Sequence, residues 1–428
     1  TAVTVVIVAV GVAAGGGGFA WRRRGPHLDR PRRRWSLAAL RTLLHGRLLL
    51  AAFVVVFGTY AIVGLVTFSM TPNVSWDAWA IWSLKATLLT DFSHLPAHFF
   101  TGHAYLPTHQ DYPLLLPLLE SMWFRFAGVT DTQAMHAELW LLLVGFVWSA
   151  AYLLDRRGAR IVLWGPLLLV AALASGTFDQ LSTAYADVPM ALFAGLGFLL
   201  LGFWISRDQP ADLALGVIFL GAAANIKNEA LPAAVIALLV AALVVRRPRP
   251  HLRRNIVLAF AALAIIALPW RIWTAAHGVP ADPDLPSSSA LHLSYILGRT
   301  GRIGPAASAL QAQLADQGTW SYIVPIGAAL ALGCFIWRVA RRLAFFYLAT
   351  AILIFVMYVA NYCLSGQSLS WYLATSDTRV IDVIVFAALA AALQLPSEIE
   401  AASSQVRARH SAERETALTH RTADVSAV

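Results

Sequence analysis

The sequence predicts an all-α, polytopic helical membrane protein, and three observations carry that expectation. Of its 428 residues, 58% are hydrophobic and only 13% are charged, a balance too apolar for a soluble globular domain. Apolar stretches close to the roughly 20 residues that cross a bilayer recur from end to end. The apolar/polar alternation of a membrane β-barrel is absent, so the spanning elements are helices.

Spans are expected at about Val3 to Ala20, Leu48 to Met70, Glu138 to Leu154, Ile161 to Phe178, Thr183 to Ile205 and Asp212 to Ala224. They continue at Leu231 to Val245, Ile256 to Ala275, Trp320 to Trp337, Leu343 to Leu364 and Val380 to Leu395, about eleven in all. The first is followed rather than preceded by arginines, the reverse of a secretory signal, and reads as a retained span.

Basic clusters set the sidedness, because Lys and Arg concentrate in short cytoplasmic loops. Arg22 to Arg24 with Arg30 and Arg32 to Arg34 form the first, and Arg156, Arg157 and Arg160 the second. Arg246, Arg247, Arg249, Arg253 and Arg254 form the third, and Arg338, Arg341 and Arg342 the fourth. All four fall on one side of these spans. Taking that side as cytoplasmic leaves a long first outer loop at 71–135, the turn Asn225 to Glu229, a second outer loop at 276–319, and Ser365 to Arg379 on the other side. The membrane domain is read as 1–396, and the polar, Ala/Ser-rich 397–428 as a flexible cytoplasmic tail or frayed helix. The net charge of +9 belongs to topology and to contact with anionic lipid headgroups. Membrane lipids are therefore expected partners, and nucleic acid is not. Cys334 and Cys363 fall toward opposite faces, so no disulfide is expected.

The first outer loop carries Trp76-Asp77-Ala78-Trp79-Ala80-Ile81-Trp82. Tryptophans every third residue share one face of a helix that can lie flat in the headgroup layer as an aromatic belt. A carboxylate beside such a belt is costly in its ionised form unless it is paired or used. Asp77 is therefore the candidate catalytic residue, with an N-cap of the Trp helix or a bridge to Lys85 as alternatives. Farther along, His109-Gln110-Asp111-Tyr112-Pro113 offers Asp111 and His109 as groups that orient a substrate, Asp111 being equally suited to a turn. Tyr112 to Phe126 reads as a juxtamembrane helix, with a tilted span as the alternative. His94, His98, His103 and His109 share the loop with Asp91 and Asp111, but their spacings match no strong zinc signature. No metal or other cofactor is required, a divalent ion being the weaker expectation.

Two further segments fall at the same outer level, Tyr185-Ala186-Asp187-Val188-Pro189 and Asn225-Ile226-Lys227-Asn228-Glu229. Lys227 is the only lysine after Lys85 and breaks the inside bias of basic residues. A lysine at a membrane edge can bind a phosphate as a compact charge, with Asp187 or Glu229 holding it, or the same residues can form a structural bridge. Arg379, in Ser376-Asp377-Thr378-Arg379, also stands at the outer side, as do Arg299 and Arg302. A guanidinium fork suits a lipid phosphate, while Asp377 as a helix cap with Arg379 snorkelling to headgroups is the competing reading.

Taken in order, Trp76-Asp77-Ala78-Trp79, Asp111-Tyr112-Pro113-Leu114-Leu115, Tyr185-Ala186-Asp187-Val188-Pro189, a short helix ending in Lys227-Asn228-Glu229, and Trp371-Tyr372-Leu373-Ala374-Thr375-Ser376-Asp377-Thr378-Arg379 resemble the GT-C glycosyltransferases. The likeness is to bacterial relatives of protein O-mannosyltransferases and to Rgt-like lipopolysaccharide glycosyltransferases, over about Leu48 to Leu395. It implies a GT-C-like fold and a hexosyl- or pentosyltransferase. Such an enzyme moves a sugar from a polyprenyl-phosphate-sugar donor to a hydroxyl of a glycan, lipid or protein acceptor at the outer face of the cell membrane. The resemblance puts the catalytic base at Asp77 and, by looser analogy, donor phosphate contacts at Lys227 and Arg379. Asp77-Ala78 stands where many relatives have Asp-Glu, and Asp111-Tyr112-Pro113 where many have a double proline, so acceptor identity is not inherited. A transporter or lipid flippase is the rival class, but it would place charges near mid-membrane and show related halves.

Overall fold

The computed structural model describes residues 37–128, 130, 132–245, 251–280 and 292–425. The expected span at Val3 to Ala20, the arginine cluster after it, and Arg246, Arg247 and Arg249 lie outside the described residues. The chain divides into two units, 1–66 and 67–428, and every candidate site residue belongs to the second. The described residues are helical, and no β-strand forms among them. In chain order the main helices are α1 (Leu37–Phe68), α2 (Leu84–Phe92), α3 (Leu115–Ala127), α4 (Thr132–Arg156), α5 (Ile161–Leu173), α6 (Ser175–Ser182), α7 (Asp187–Arg207) and α8 (Pro210–Ala224). They continue with α9 (Ala230–Val244), α10 (Leu252–Ala276), α11 (Ile303–Ala315), α12 (Ile323–Ile336), α13 (Arg341–Leu364), α14 (Leu369–Val380) and α15 (Asp382–Val425).

Every expected span inside the described residues overlaps one or two of these helices, but their lengths differ. Among the described residues, six stretches are long and apolar enough to cross a bilayer: Gly46–Phe68, Met135–Arg156, Asp187–Arg207, Leu252–Ala276, Arg341–Leu364 and Leu369–Ser404. The pair α5 and α6, bent by 42°, makes a seventh. Helices α8, α9 and α12 have 15, 15 and 14 residues, fewer than the roughly 20 that cover a hydrocarbon core. Among the described residues the full-length spans thus number six or seven, where about ten were expected. For α8 and α9 the cause is the polar turn between them. Asn225 donates to the Ile266 carbonyl at 2.8 Å and Lys227 pairs with Asp187 at 2.8 Å. The turn is satisfied by neighbouring helices without having to reach bulk water.

Helix α7 is the axis of the second unit. It is apolar on all sides and buried almost throughout, the pattern of a helix enclosed by others, and it packs against α4, α8, α9 and α15. Outward-facing Val257, Leu258, Ile265 and Ile272 mark α10 as peripheral, as expected of side chains that face lipid tails. Tyr347 of α13 donates to Gln394 Oε1 of α15 at 2.7 Å, satisfying a buried amide. At the far end of α7 from Asp187, Arg207 donates to the Arg157 carbonyl at 2.9 Å, Arg157 pairs with Asp212, and Arg160 pairs with Glu400 at 2.7 Å. That end lies about 30 Å from the first turn of α7, by the helical rise over its length, close to a bilayer core.

The first outer loop departs from the expected Trp helix. Ala78–Ser83 winds as a π-helix, whose i→i+5 pitch breaks the three-residue stripe. Trp76 and Trp79 remain exposed and meet edge to face at 4.6 Å. Trp82 turns inward, is 2% exposed, and stacks on Tyr112 at 5.6 Å. The helix expected over Tyr112 to Phe126 forms as α3, which starts two residues after Pro113 and has 13 residues. Helices α11 and α14 were not expected, and the last helix runs on to Val425 through the segment read as a flexible tail or frayed helix.

Close approach of α12 to α15 depends on Gly327, where a Cβ would overlap the Ala388 carbonyl group. Backbone cannot yield there as a flexible side chain would. Gly327→Ala is expected to lower stability in detergent by about 1–3 kcal/mol. Gly145→Ala, on an open face of α4, should leave the thermal unfolding midpoint unchanged or slightly raised.

Candidate active site

Local sequence explains why several charged side chains end at one level. Asp187 occupies the first turn of α7, where a carboxylate is favoured by the helix dipole. Pro189 two residues later lacks an N–H that would have no intrahelical partner in any case. Arg379 lies in the last turn of α14, where a cation is favoured. That helix is opened by Ser368, whose Oγ accepts from the Trp371 amide at 3.4 Å. Lys227 stands in the α8–α9 turn, after the end of α8 at Ala224 rather than in a helix, and Glu229 immediately precedes α9. Asp77 precedes the π-helix without capping it, so its carboxylate is available elsewhere.

These residues form an alternating chain of charge. Asp77 Oδ2 accepts from Arg379 Nη1 at 2.6 Å. Arg379 Nη1 lies 4.0 Å from Asp187 Oδ2, and Lys227 Nζ lies 2.8 Å from Asp187 Oδ1. Lys227 also pairs with Glu229 Oε1 at 3.3 Å. The Arg379 guanidinium sits 4.3 Å from the Tyr185 ring centre, adding a cation–π contact. Exposure is graded along the chain. The Asp77 side chain is 28% exposed and that of Arg379 16%, against 9% for Lys227 and 3% for Asp187. Burial alone would pull the Lys227 ammonium down, but Asp187 and Glu229 outweigh it and hold the group above its usual range. Lys227 is a fixed positive charge at any physiological pH.

Asp111 joins through its neighbours. Asn228 donates to Asp111 Oδ2 at 3.1 Å, and Trp270 Nε1 donates to the Asp111 carbonyl at 2.8 Å. Arg271 of α10 acts electrostatically on both Asp111 and Glu229, while donating to the Ala267 and Ala224 carbonyls at 2.6 and 2.7 Å. The His109 ring lies to one side, stacked on Tyr112 at 4.6 Å. Asp77, Asp111, Asp187, Lys227, Glu229 and Arg379 therefore converge, and His109 borders them.

Several expectations are corrected. The bridge from Asp77 to Lys85 does not form; Asp77 pairs with Arg379, and Lys85 is fully buried with its ammonium donating to the His109 carbonyl at 2.6 Å. Asp377 lies within α14 rather than capping it, and accepts from Gln313 at 3.1 Å. The Arg379 guanidinium turns to the Asp77 carboxylate. Arg299 and Arg302 bind backbone carbonyls of the segment before α14, Ser365 at 2.5 Å and Gln367 at 3.0 Å. His94 bonds the Phe92 carbonyl at 2.7 Å, and among the described residues no group of three His, Cys, Asp or Glu side chains is placed to hold a metal ion.

Sequence reasoning missed Arg271 and Asp382. The signal that flagged Arg379, an arginine at the outer end of an apolar span, applied equally to Arg271. Asp382 opens α15 fully buried, with Oδ1 accepting from Gln180 at 3.0 Å and Oδ2 without a hydrogen-bond partner. Its acidic type at the start of an apolar run was a second such signal.

No protein-family model matches this chain, and no curated protein does. Among solved structures, the chain is similar to the crystal structure of ArnT from Cupriavidus metallidurans in the apo state, with 18% identity and a TM-score of 0.49. The likeness covers 80% of this chain and 59% of that one.

Beside the loop, Glu120 of α3 is fully buried, and neither carboxyl oxygen has a hydrogen-bond partner. Desolvation pushes its carboxyl well above the usual range; Glu138 adds to that and Lys85 opposes it.

Removing Lys227 leaves Asp187 buried against Arg379 alone. Lys227→Met is expected to cost about 3–5 kcal/mol of stability, read by thermal unfolding in detergent, with Asp187→Asn in the same chain recovering most of it. For Glu120, a carboxyl that holds its proton more tightly when folded stabilises the fold fully only below its unfolded value, near 4.5, and loses that contribution as pH rises above it. Glu120→Gln should therefore match the parent in acid and exceed it in unfolding midpoint by a margin that widens as pH rises above that value. A margin independent of pH would contradict the assignment.

Proposed function

We propose that this chain is a GT-C-type membrane glycosyltransferase that moves a hexosyl or pentosyl group from a polyprenyl-phosphate donor to a hydroxyl of a glycan, lipid or protein acceptor. The observation that carries this reading is the pair Asp77 and Arg379, 2.6 Å apart and partly exposed, at the same helix ends as the buried Lys227. A base and fixed cations side by side at the end of apolar helices match a reaction whose one substrate stays anchored in lipid by its prenyl chain.

The opposite ends of these helices carry Arg156, Arg157, Arg207, Arg253, Arg254, Arg341 and Arg342. By the positive-inside rule that end faces the cytoplasm, which assigns the reacting end to the extracytoplasmic side of the cell membrane. The charged groups gather at one end rather than midway along the helices, which favours an enzyme over a transporter.

In the proposed reaction, Asp77 takes the proton of the acceptor hydroxyl as its oxygen attacks the anomeric carbon. The bond from that carbon to the phosphate oxygen breaks in the same step, with inversion, and the electron pair leaves with the prenyl phosphate. Lys227 and Arg379 stabilise the charge that develops on the leaving group, and Asp187 and Glu229 hold Lys227 in place. Asp111, fixed by Asn228, orients sugar or acceptor, with His109 at the border. The chain's own cations can balance a single phosphate, and no organic cofactor enters the step. Asp77→Asn is expected to lower sugar transfer from polyprenyl-phosphate donors by about 10²–10⁴-fold, with an unchanged unfolding midpoint. Full activity in the folded variant rejects Asp77 as the base.

A further inference from the structure

The Asp77–Arg379 pair raises a problem of charge, because the base and the cation meant for the phosphate already neutralise each other. Arg379 has two carboxylates in reach, and they are held very differently. Asp187 is 3% exposed and its other oxygen is locked at 2.8 Å on Lys227. Asp77 is 28% exposed, and among the described residues its one ion pair is with Arg379. An anion arriving at Arg379 therefore displaces Asp77 before Asp187. Arg379 is also equipped to take a new partner, since its Nε is buried without a hydrogen-bond acceptor, and a phosphate offers oxygens to more than one guanidinium N–H at once.

We propose that Arg379 is exchanged between Asp77 and the prenyl phosphate during each turnover, masking the base in the resting protein and following the negative charge as it moves. This rests on the glycosyltransferase reading above and concerns how the same site is regulated. The charges balance. Before transfer, Asp77 and the donor phosphodiester carry one negative charge each. The acceptor proton goes to Asp77, which becomes neutral, and the broken carbon–oxygen bond leaves its electron pair on the phosphate, which becomes a monoester with a second negative charge. Two negative charges are present throughout. They start divided between Asp77 and phosphate and end on phosphate alone, so Arg379 loses its attraction to Asp77 as its attraction to the leaving group grows. The resting pair also keeps water from meeting an unmasked base when no donor is bound.

The exchange is tested by binding farnesyl phosphate, a short polyprenyl monophosphate, to the purified full chain in detergent by calorimetry at neutral pH. Asp77→Asn removes the competing anion and should tighten binding about tenfold, the scale of coupling between directly paired groups. Arg379→Met should weaken binding, and in that background Asp77→Asn should change affinity less than about threefold. Thermal midpoints establish that each variant is folded, and Asp77→Ser serves in place of Asp77→Asn if the amide variant is unstable. Equal tightening with and without Arg379 reduces the effect to net charge and overturns the exchange. Unchanged or weaker binding in Asp77→Asn overturns it too. A parent chain that binds no farnesyl phosphate removes the glycosyltransferase reading itself, so the two failures are distinct.

Discussion

Among apolar helices an ionised carboxylate persists only with a cation held against it. Asp187 meets that constraint with two, Lys227 at 2.8 Å and Arg379 at 4.0 Å. The three residues come from the start of α7, the α8–α9 turn and the end of α14, so one carboxylate fixes three separated parts of the chain at a common level. The shortness of α8 and α9 follows from the same requirement. Their connecting turn must deliver a lysine to Asp187, and a pair of full-length spans would carry that lysine past it. Because α7 is enclosed by its neighbours, the pair is shielded from solvent, where attraction between charges is least screened.

The same arrangement explains which features were legible from the amino-acid order alone. Hydropathy located the helical cores because burial among helices and burial in lipid call for the same residue types. It counted Asp212 to Ala224 and Leu231 to Val245 as spans although each belongs to a helix of only 15 residues, since periodicity cannot separate a short enclosed helix from a membrane crossing. Charges of the wrong sign for their side were the most productive signal, and they led to Lys227 and Arg379. The signal was present at Arg271 as well, inside Trp270-Arg271-Ile272-Trp273, where a strongly apolar stretch drew attention to the span rather than to its one cation. Pairings were not legible. Asp77 meets Arg379 across 302 positions, while the nearby lysine that local reasoning offered as its partner is buried beneath the His109 carbonyl.

The π-helix at Ala78–Ser83 shows why local periodicity failed there. Three tryptophans at three-residue spacing suit one face of a regular helix, and a regular helix would have kept Trp82 beside Trp79. The wider winding sends Trp82 inward onto Tyr112 while leaving Trp76 and Trp79 exposed. That rotation couples the segment after Asp77 to the segment after Asp111 through one ring stack. Lys85, 5.5 Å from the Tyr112 ring and bonded to the His109 carbonyl, fastens the same two segments a turn later. The loop that supplies Asp77 is thus anchored on its apolar side, an arrangement that holds the Asp77 carboxylate against Arg379 while leaving it 28% exposed.

Asp77 and Asp187 illustrate how two carboxylates sharing a cation acquire different tasks from their remaining surroundings. Both face Arg379. Asp187 has a second cation on its other oxygen and almost no access to solvent, so giving it a proton would break a buried pair and leave Lys227 short of compensation. That cost makes it a poor proton acceptor and a good anchor. Among the described residues Asp77 pairs with Arg379 alone, and it remains partly open. In the proposed reaction a phosphate takes over the guanidinium. In that reading the base is the carboxylate whose described partner, Arg379, is wanted elsewhere at the moment of transfer.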